Sequence, residues 1–111
     1  MRIFLFLVVS LCFATSASAQ DAAALSSVRA AYAAQAKGKW DEALRLAAPA
    51  GQVAVDLIQW DRLRAGQGQF SETVDFLRRR PDWPGLPYLR KRSEATIQPD
   101  AAALDVIAFF S

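Results

Sequence analysis

Eleven aspartates and glutamates are the side chains through which this chain could do acid–base chemistry. A glycosidase, for example, needs two of them facing one scissile bond. None makes that case from its position. Asp41 and Glu42 precede an apolar helical stretch, where they read as a cap and a first-turn acid. Glu94 follows Arg90 by four residues and reads as its ion-pair partner on a wet helix face. Asp82 lies between Pro81 and Trp83, where a short carboxylate bonds turn backbone. There is no histidine, and Cys12 is the single cysteine. Zinc sites and catalysis by histidine or cysteine are thereby excluded from the part after the leader described below. Gly66-Gln67-Gly68 lacks the Lys-Ser/Thr of a phosphate loop and reads as a turn between helices. No residue is assigned to catalysis, to a cofactor or to a metal.

Two basic runs remain. Arg78-Arg79-Arg80 falls at a helix C-terminus, where the helix dipole favours cations. Arg90-Lys91-Arg92 falls inside a helix, so its members point in different directions. Contact with an acidic polymer competes there with a plain solvated face. Trp40, Trp60 and Trp83 could stack on sugar rings, but near helix turns they serve better as apolar wedges.

The elements that carry these residues read as helices throughout. Ala, Leu, Gln, Arg and Glu dominate, and β-branched runs are absent after the leader. Asp21 caps a helix over about 22–37, with Ala23, Ala30, Ala31 and Ala34 on its small face and Val28 and Tyr32 as larger contacts. Gly38 ends it. Asp41 caps a short second helix carrying Leu44, Ala47 and Ala48, which stops at Pro49-Ala50-Gly51. A third helix spans about 52–65 with Val53, Leu57, Ile58 and Trp60 near one side. Ser71 caps a fourth through Arg80, where Phe70, Val74 and Leu77 recur at helical spacing and Asp75 precedes Arg79 by four. Pro81, Pro84, Gly85 and Trp83 make a rigid corner. A fifth helix covers about 86–97, Gln98-Pro99-Asp100 breaks it, and a sixth begins near Ala101.

Two turns look like copies. Gly38-Lys39-Trp40-Asp41-Glu42-Ala43-Leu44 aligns with Gly68-Gln69-Phe70-Ser71-Glu72-Thr73-Val74 at an offset of 30 residues. Glycine reverses the chain, an aromatic wedges between helices, and a capping residue starts the next one. A helical hairpin recurring at this period marks a solenoid. The expected fold is therefore all-α, with stacked helical hairpins in a TPR-like superhelix, incomplete at the C-terminus.

Both ends bear on where the protein works. Met1-Arg2, the apolar run Ile3–Ala14 and Ala17-Ser18-Ala19 follow the three-part pattern of a secretory signal peptide, residues 1–19, with Gln20 as the first mature residue. A lipoprotein anchored at Cys12 fails because Leu11 stands where a small residue is needed. An uncleaved anchor is the other reading, and the run is short for a bilayer. Beyond the leader, 12 basic residues face 11 acidic ones, a balance that gives no reason to expect nucleic acid. That part has no disulfide to stabilise it and buries only about 60–65% of its extended surface. Val106-Ile107-Ala108-Phe109-Phe110-Ser111 closes the chain with no polar capping turn. It reads as the bare stacking face of a longer protein's scaffold.

With those residues in place, the chain resembles the N-terminal superhelical region of soluble periplasmic lytic murein transglycosylases. The likeness rests on Trp60-Asp61-Arg62-Leu63, Gly68-Gln69-Phe70, Phe76-Leu77 and Arg80-Pro81-Asp82-Trp83-Pro84-Gly85-Leu86. Leu89-Arg90 and Ser93-Glu94-Ala95 add to it. It covers roughly residues 25–110, and the Pro-Asp-Trp-Pro-Gly-Leu corner is its most specific part. The resemblance implies a helical scaffold over 20–111, periplasmic, that acts on peptidoglycan glycan strands through the full-length protein. In such proteins a separate lysozyme-like domain cleaves the bond between N-acetylmuramic acid and N-acetylglucosamine and leaves a 1,6-anhydromuramyl product. Its glutamate lies in a Glu-Ser motif followed by a Gly-Leu-Met-Gln-like stretch, and neither occurs here. Ser93-Glu94 has the reverse order and is not assigned that role. The segment is expected to be inactive alone, to bind no nucleic acid and to have no stable membrane span after the leader is removed. The competing expectation is a small free-standing periplasmic helical-repeat protein that binds another protein.

Overall fold

The computed structural model describes residues 14–111, with side chains from Ser18 onward. Among them there are six α-helices and no strand. These are α1 (Ala14–Ala36), α2 (Trp40–Ala47), α3 (Gln52–Arg64), α4 (Phe70–Arg79), α5 (Leu86–Ser93) and α6 (Ala103–Phe110). The all-α expectation holds. No helix among the described residues is long and apolar enough to cross a membrane. Most of the leader assigned to 1–19 lies outside the described residues. Its end, Ala14–Ala19, continues without a break into α1.

Four local expectations are corrected. Asp21 caps nothing, because it lies inside α1. The buried face of α1 is Ala31 and Ala34, while Ala23 and Ala30 are exposed and Tyr32 is 38% exposed. Asp41 and Ser71 are not caps either. Trp40 and Phe70 are themselves the first helical residues, and Lys39 and Gln69 hold the cap positions. The physical reason is that burial of the aromatic ring decides where the helix begins, and the acid then falls in the first turn. Finally, α5 stops at Ser93 and tightens into a 3-10 turn over Glu94–Thr96.

The duplicated turns share their helix starts but not their glycines. Gly38 adopts φ +72, the left-handed conformation that reverses the chain after α1. After α3 that role falls to Gly66, at φ +76. Gly68, which aligns with Gly38, has no positive φ. It is small for another reason: a Cβ there would lie 2.7 Å from Leu63 Cδ2.

Two apolar clusters meet along α3. The first is built of small residues: Ala31, Ala34, Ala43 and Ala47 with Ile58, flanked by Trp40 and Leu44. The second is large and aromatic: Leu63, Phe70, Val74, Phe76, Leu77, Leu86, Leu89 and Phe109. Phe70, Val74 and Leu77 are all buried, as their spacing predicts. Phe109 alone of α6 is fully buried. It packs edge-on against Phe70 at 5.2 Å and so ties α6 to α4.

Candidate functional site

The corner between α4 and α5 gathers most of the residues the sequence singles out. It begins on α3 with Asp56, a carboxylate only 1% exposed inside the run Val53-Ala54-Val55-Asp56-Leu57-Ile58. A buried charge must be matched. Arg79 Nη1 donates to both its oxygens, at 3.0 and 3.2 Å, and Arg80 Nε donates to Oδ2 at 2.7 Å. Gln52 Nε2 completes the shell at 3.0 Å. Burial pushes the Asp56 carboxyl up, but the hydrogen bonds from Arg80, Arg79 and Gln52 outweigh it and hold it below the usual carboxylate range. Asp75 also accepts from Arg79, at 2.8 Å, so the expected Asp75–Arg79 pair forms. Two arginines read as dipole caps are therefore clamps that fix the end of α4 on α3.

The chain then turns. Trp83 packs edge-on against Phe76 at 5.6 Å and against Trp60 at 6.3 Å, with the Arg80 guanidinium 5.5 Å from its ring centre. Trp60 and Trp83 are wedges, and Trp40 packs in the same way against the alanine cluster. Gly85 starts α5 at φ +71, and a Cβ on it would come within 3.2 Å of Trp60 Cζ2. The glycine is required both by the backbone and by the indole beside it. The indole N–H groups of Trp60 and Trp83, and Arg90 Nε, are buried without an acceptor among the described residues. Asp82 is exposed on the rim of a small groove of about 280 Å³ lined by Arg79, Arg80, Pro81 and Trp83. Among the described residues it makes no hydrogen bond to the turn backbone, contrary to expectation.

Along α5 the basic run splits as its helical positions require. Arg90 is half-buried, while Lys91 and Arg92 are exposed beside Tyr88. No ion pair joins Glu94 to Arg90 among the described residues, although the Glu94 N–H still donates to the Arg90 carbonyl in α-helical fashion. Arg92 Nε instead donates to the Arg64 carbonyl at 3.3 Å and so closes the C-terminal end of α3. The Arg64 guanidinium sits 4.3 Å from the Trp60 ring centre and 5.5 Å from that of Tyr88.

A larger hollow of about 650 Å³ opens at the other end of α4, between Phe70, Ser71, Thr96, Gln98, Asp100 and Asp105. Among the described residues no three metal-binding side chains converge. Asp41 and Glu42 lie in the first turn of α2, Glu42 4.0 Å from Lys39 Nζ. The sequence reading missed Asp56. Its signal was available, as a lone acid inside an apolar run, which must find matching donors if it is buried. Chemically, Asp56 is a poor proton donor, since a general acid needs its pKa raised rather than lowered. The arrangement instead builds a stiff joint with a basic, aromatic outer face.

No family model, curated protein or solved structure matches the chain.

Proposed function

We propose that this chain is a non-catalytic scaffold segment of an exported peptidoglycan lytic transglycosylase. Its stacked helical hairpins would form part of the wall that holds a glycan strand for a catalytic domain elsewhere. The observation that carries this reading is the corner itself. Trp83 and Gly85, from the corner most specific to the resemblance, and Arg80 just before it are spent on joining α3, α4 and α5. Helices also pack on the next but one, α1 on α3, α3 on α5 and α4 on α6, a pattern that suits hairpin stacking. The one buried carboxylate among the described residues is clamped ionised, which favours architecture over acid catalysis.

Two measurements test the proposal. The full chain, incubated with purified cell walls, releases no anhydromuropeptides above a blank; release would overturn the non-catalytic role. On this proposal the reading frame that follows Ser111 is expected to encode further helical hairpins and a Glu-Ser motif. A stop codon there would sink the transglycosylase reading in favour of a free-standing protein-binding repeat.

A further inference from the structure

The outer face of α5 has a composition the joint does not explain. Tyr88, Lys91 and Arg92 stand at i, i+3 and i+4, so they share one side of the helix. All three are exposed, Tyr88 to 53%. Arg64 reaches the same ring from α3, with its guanidinium 5.5 Å from the Tyr88 centre. Its own charge is partly matched by Asp61 at 3.5 Å. Lys91 and Arg92 have no carboxylate partner within 4.0 Å among the described residues, and Arg92 spends only its Nε on a backbone carbonyl. A half-bare phenol ring thus lies against Arg64, which stacks in turn on Trp60, and shares its side of the helix with Lys91 and Arg92.

We infer that this face, Tyr88 with Lys91, Arg92 and Arg64, is a docking surface for a carboxylate-bearing glycan strand. The choice of a glycan rests on the cell-wall reading above. A sugar ring lies on the phenol through its C–H face, as rings do on exposed aromatics. Its carboxylates meet the ammonium and guanidinium groups, where charge complementarity guides contact and fixes register. Nucleic acid fits less well. A net charge of +2 and one exposed ring on this face offer neither the long basic track nor the run of stacking platforms such polymers use.

The test is equilibrium binding of the full chain to four probes. These are peptide-free glycan strands from purified cell walls, polygalacturonate, neutral chitooligosaccharide and polyglutamate. The expected result is binding to the wall strands, weakened about tenfold in Tyr88→Ala and in the double variant Lys91→Gln/Arg92→Gln, and weakened by salt. Chitooligosaccharide, which has the rings without the carboxylates, binds less. All three substituted side chains are exposed, and unchanged thermal melting verifies that the variants are folded. Wild-type affinity in both variants overturns the docking surface and leaves the scaffold reading standing. Binding to polygalacturonate without binding to wall strands keeps the surface and overturns the cell-wall reading. Polyglutamate binding as tight as any glycan overturns the inference in favour of an acidic-peptide site.

Discussion

Removing the Asp56 carboxylate would leave Arg80 facing an apolar pocket with no counter-charge and Arg79 with Asp75 as its one remaining carboxylate among the described residues. Breaking a fully buried pair in this way costs about 3–5 kcal/mol. Here the arginine side chains are 38% and 30% exposed and regain some water. Asp56→Ala is therefore expected to lower stability by about 2–3 kcal/mol, measured by urea unfolding. The same carboxylate gives an acid dependence with a definite sign. Its folded pKa lies below the ordinary value near 3.8. Its contribution is thus complete above that value and is lost as pH falls through the lower, folded one. Between about pH 5 and pH 2 the wild type should lose more stability than Asp56→Asn, which has no such charge to neutralise. Parallel losses in the two proteins would show that the clamp is not what acid breaks.

At the scale of elements, the joint between α4 and α5 is tighter than the turn between α1 and α2, although both use a left-handed glycine. An L-residue in that conformation costs about 1–2 kcal/mol wherever it occurs. Around Gly38 a Cβ meets nothing within 4 Å, whereas at Gly85 it crowds the Trp60 indole at 3.2 Å. Gly38→Ala should therefore cost about 1 kcal/mol and Gly85→Ala distinctly more, about 2–3 kcal/mol, since Trp60 is wedged by Trp83 and cannot retreat freely. Chemical denaturation of the two variants checks the order; equal costs would mean that the wedge yields. These elements also show what could be read in advance. Helix content, the Pro/Gly breaks and the buried face of α4 follow from spacing and composition, which are local properties. The caps were misplaced by two residues because burial of Trp40 and Phe70, a tertiary effect, sets the helix starts. The lone acid Asp56 stood out in the sequence, but what clamps it did not, for a similar reason. Its partners are 23 and 24 residues away, and the sequence alone does not place one helix end over the middle of another. The basic face of α5 was half legible: its charges were plain, but Arg64 joins it only through the fold.

For the whole molecule, the two apolar clusters differ in what they can contribute to stability. The cluster shared by α1, α2 and α3 rests on four buried alanines and Ile58. A methyl group contributes about 0.8 kcal/mol on burial, against about 1.5–3 kcal/mol for a Leu or Phe side chain. The cluster of α4, α5 and α6 with the end of α3 buries Leu63, Phe70, Phe76, Leu77, Leu86, Leu89 and Phe109, and it is reinforced by the Asp56 clamp and the Thr73–Ser93 hydroxyl pair at 3.2 Å. The larger side chains favour the second cluster several-fold in burial energy, while the backbone ordering cost per residue is the same in both. Opening should therefore begin at α1 and α2 and leave α3 to α5 folded. In native-state hydrogen exchange the amides of α2 and the second half of α1 should exchange at least about tenfold faster than the core amides of α4 and α5. Ile58→Ala should widen that gap, because it removes the one large buried residue of the weaker cluster, and should speed exchange in α2 without touching α4. If all four helices exchange at one common rate, the clusters open as one cooperative unit. In that case α3, which touches both, transmits the strength of the aromatic cluster to the alanine one.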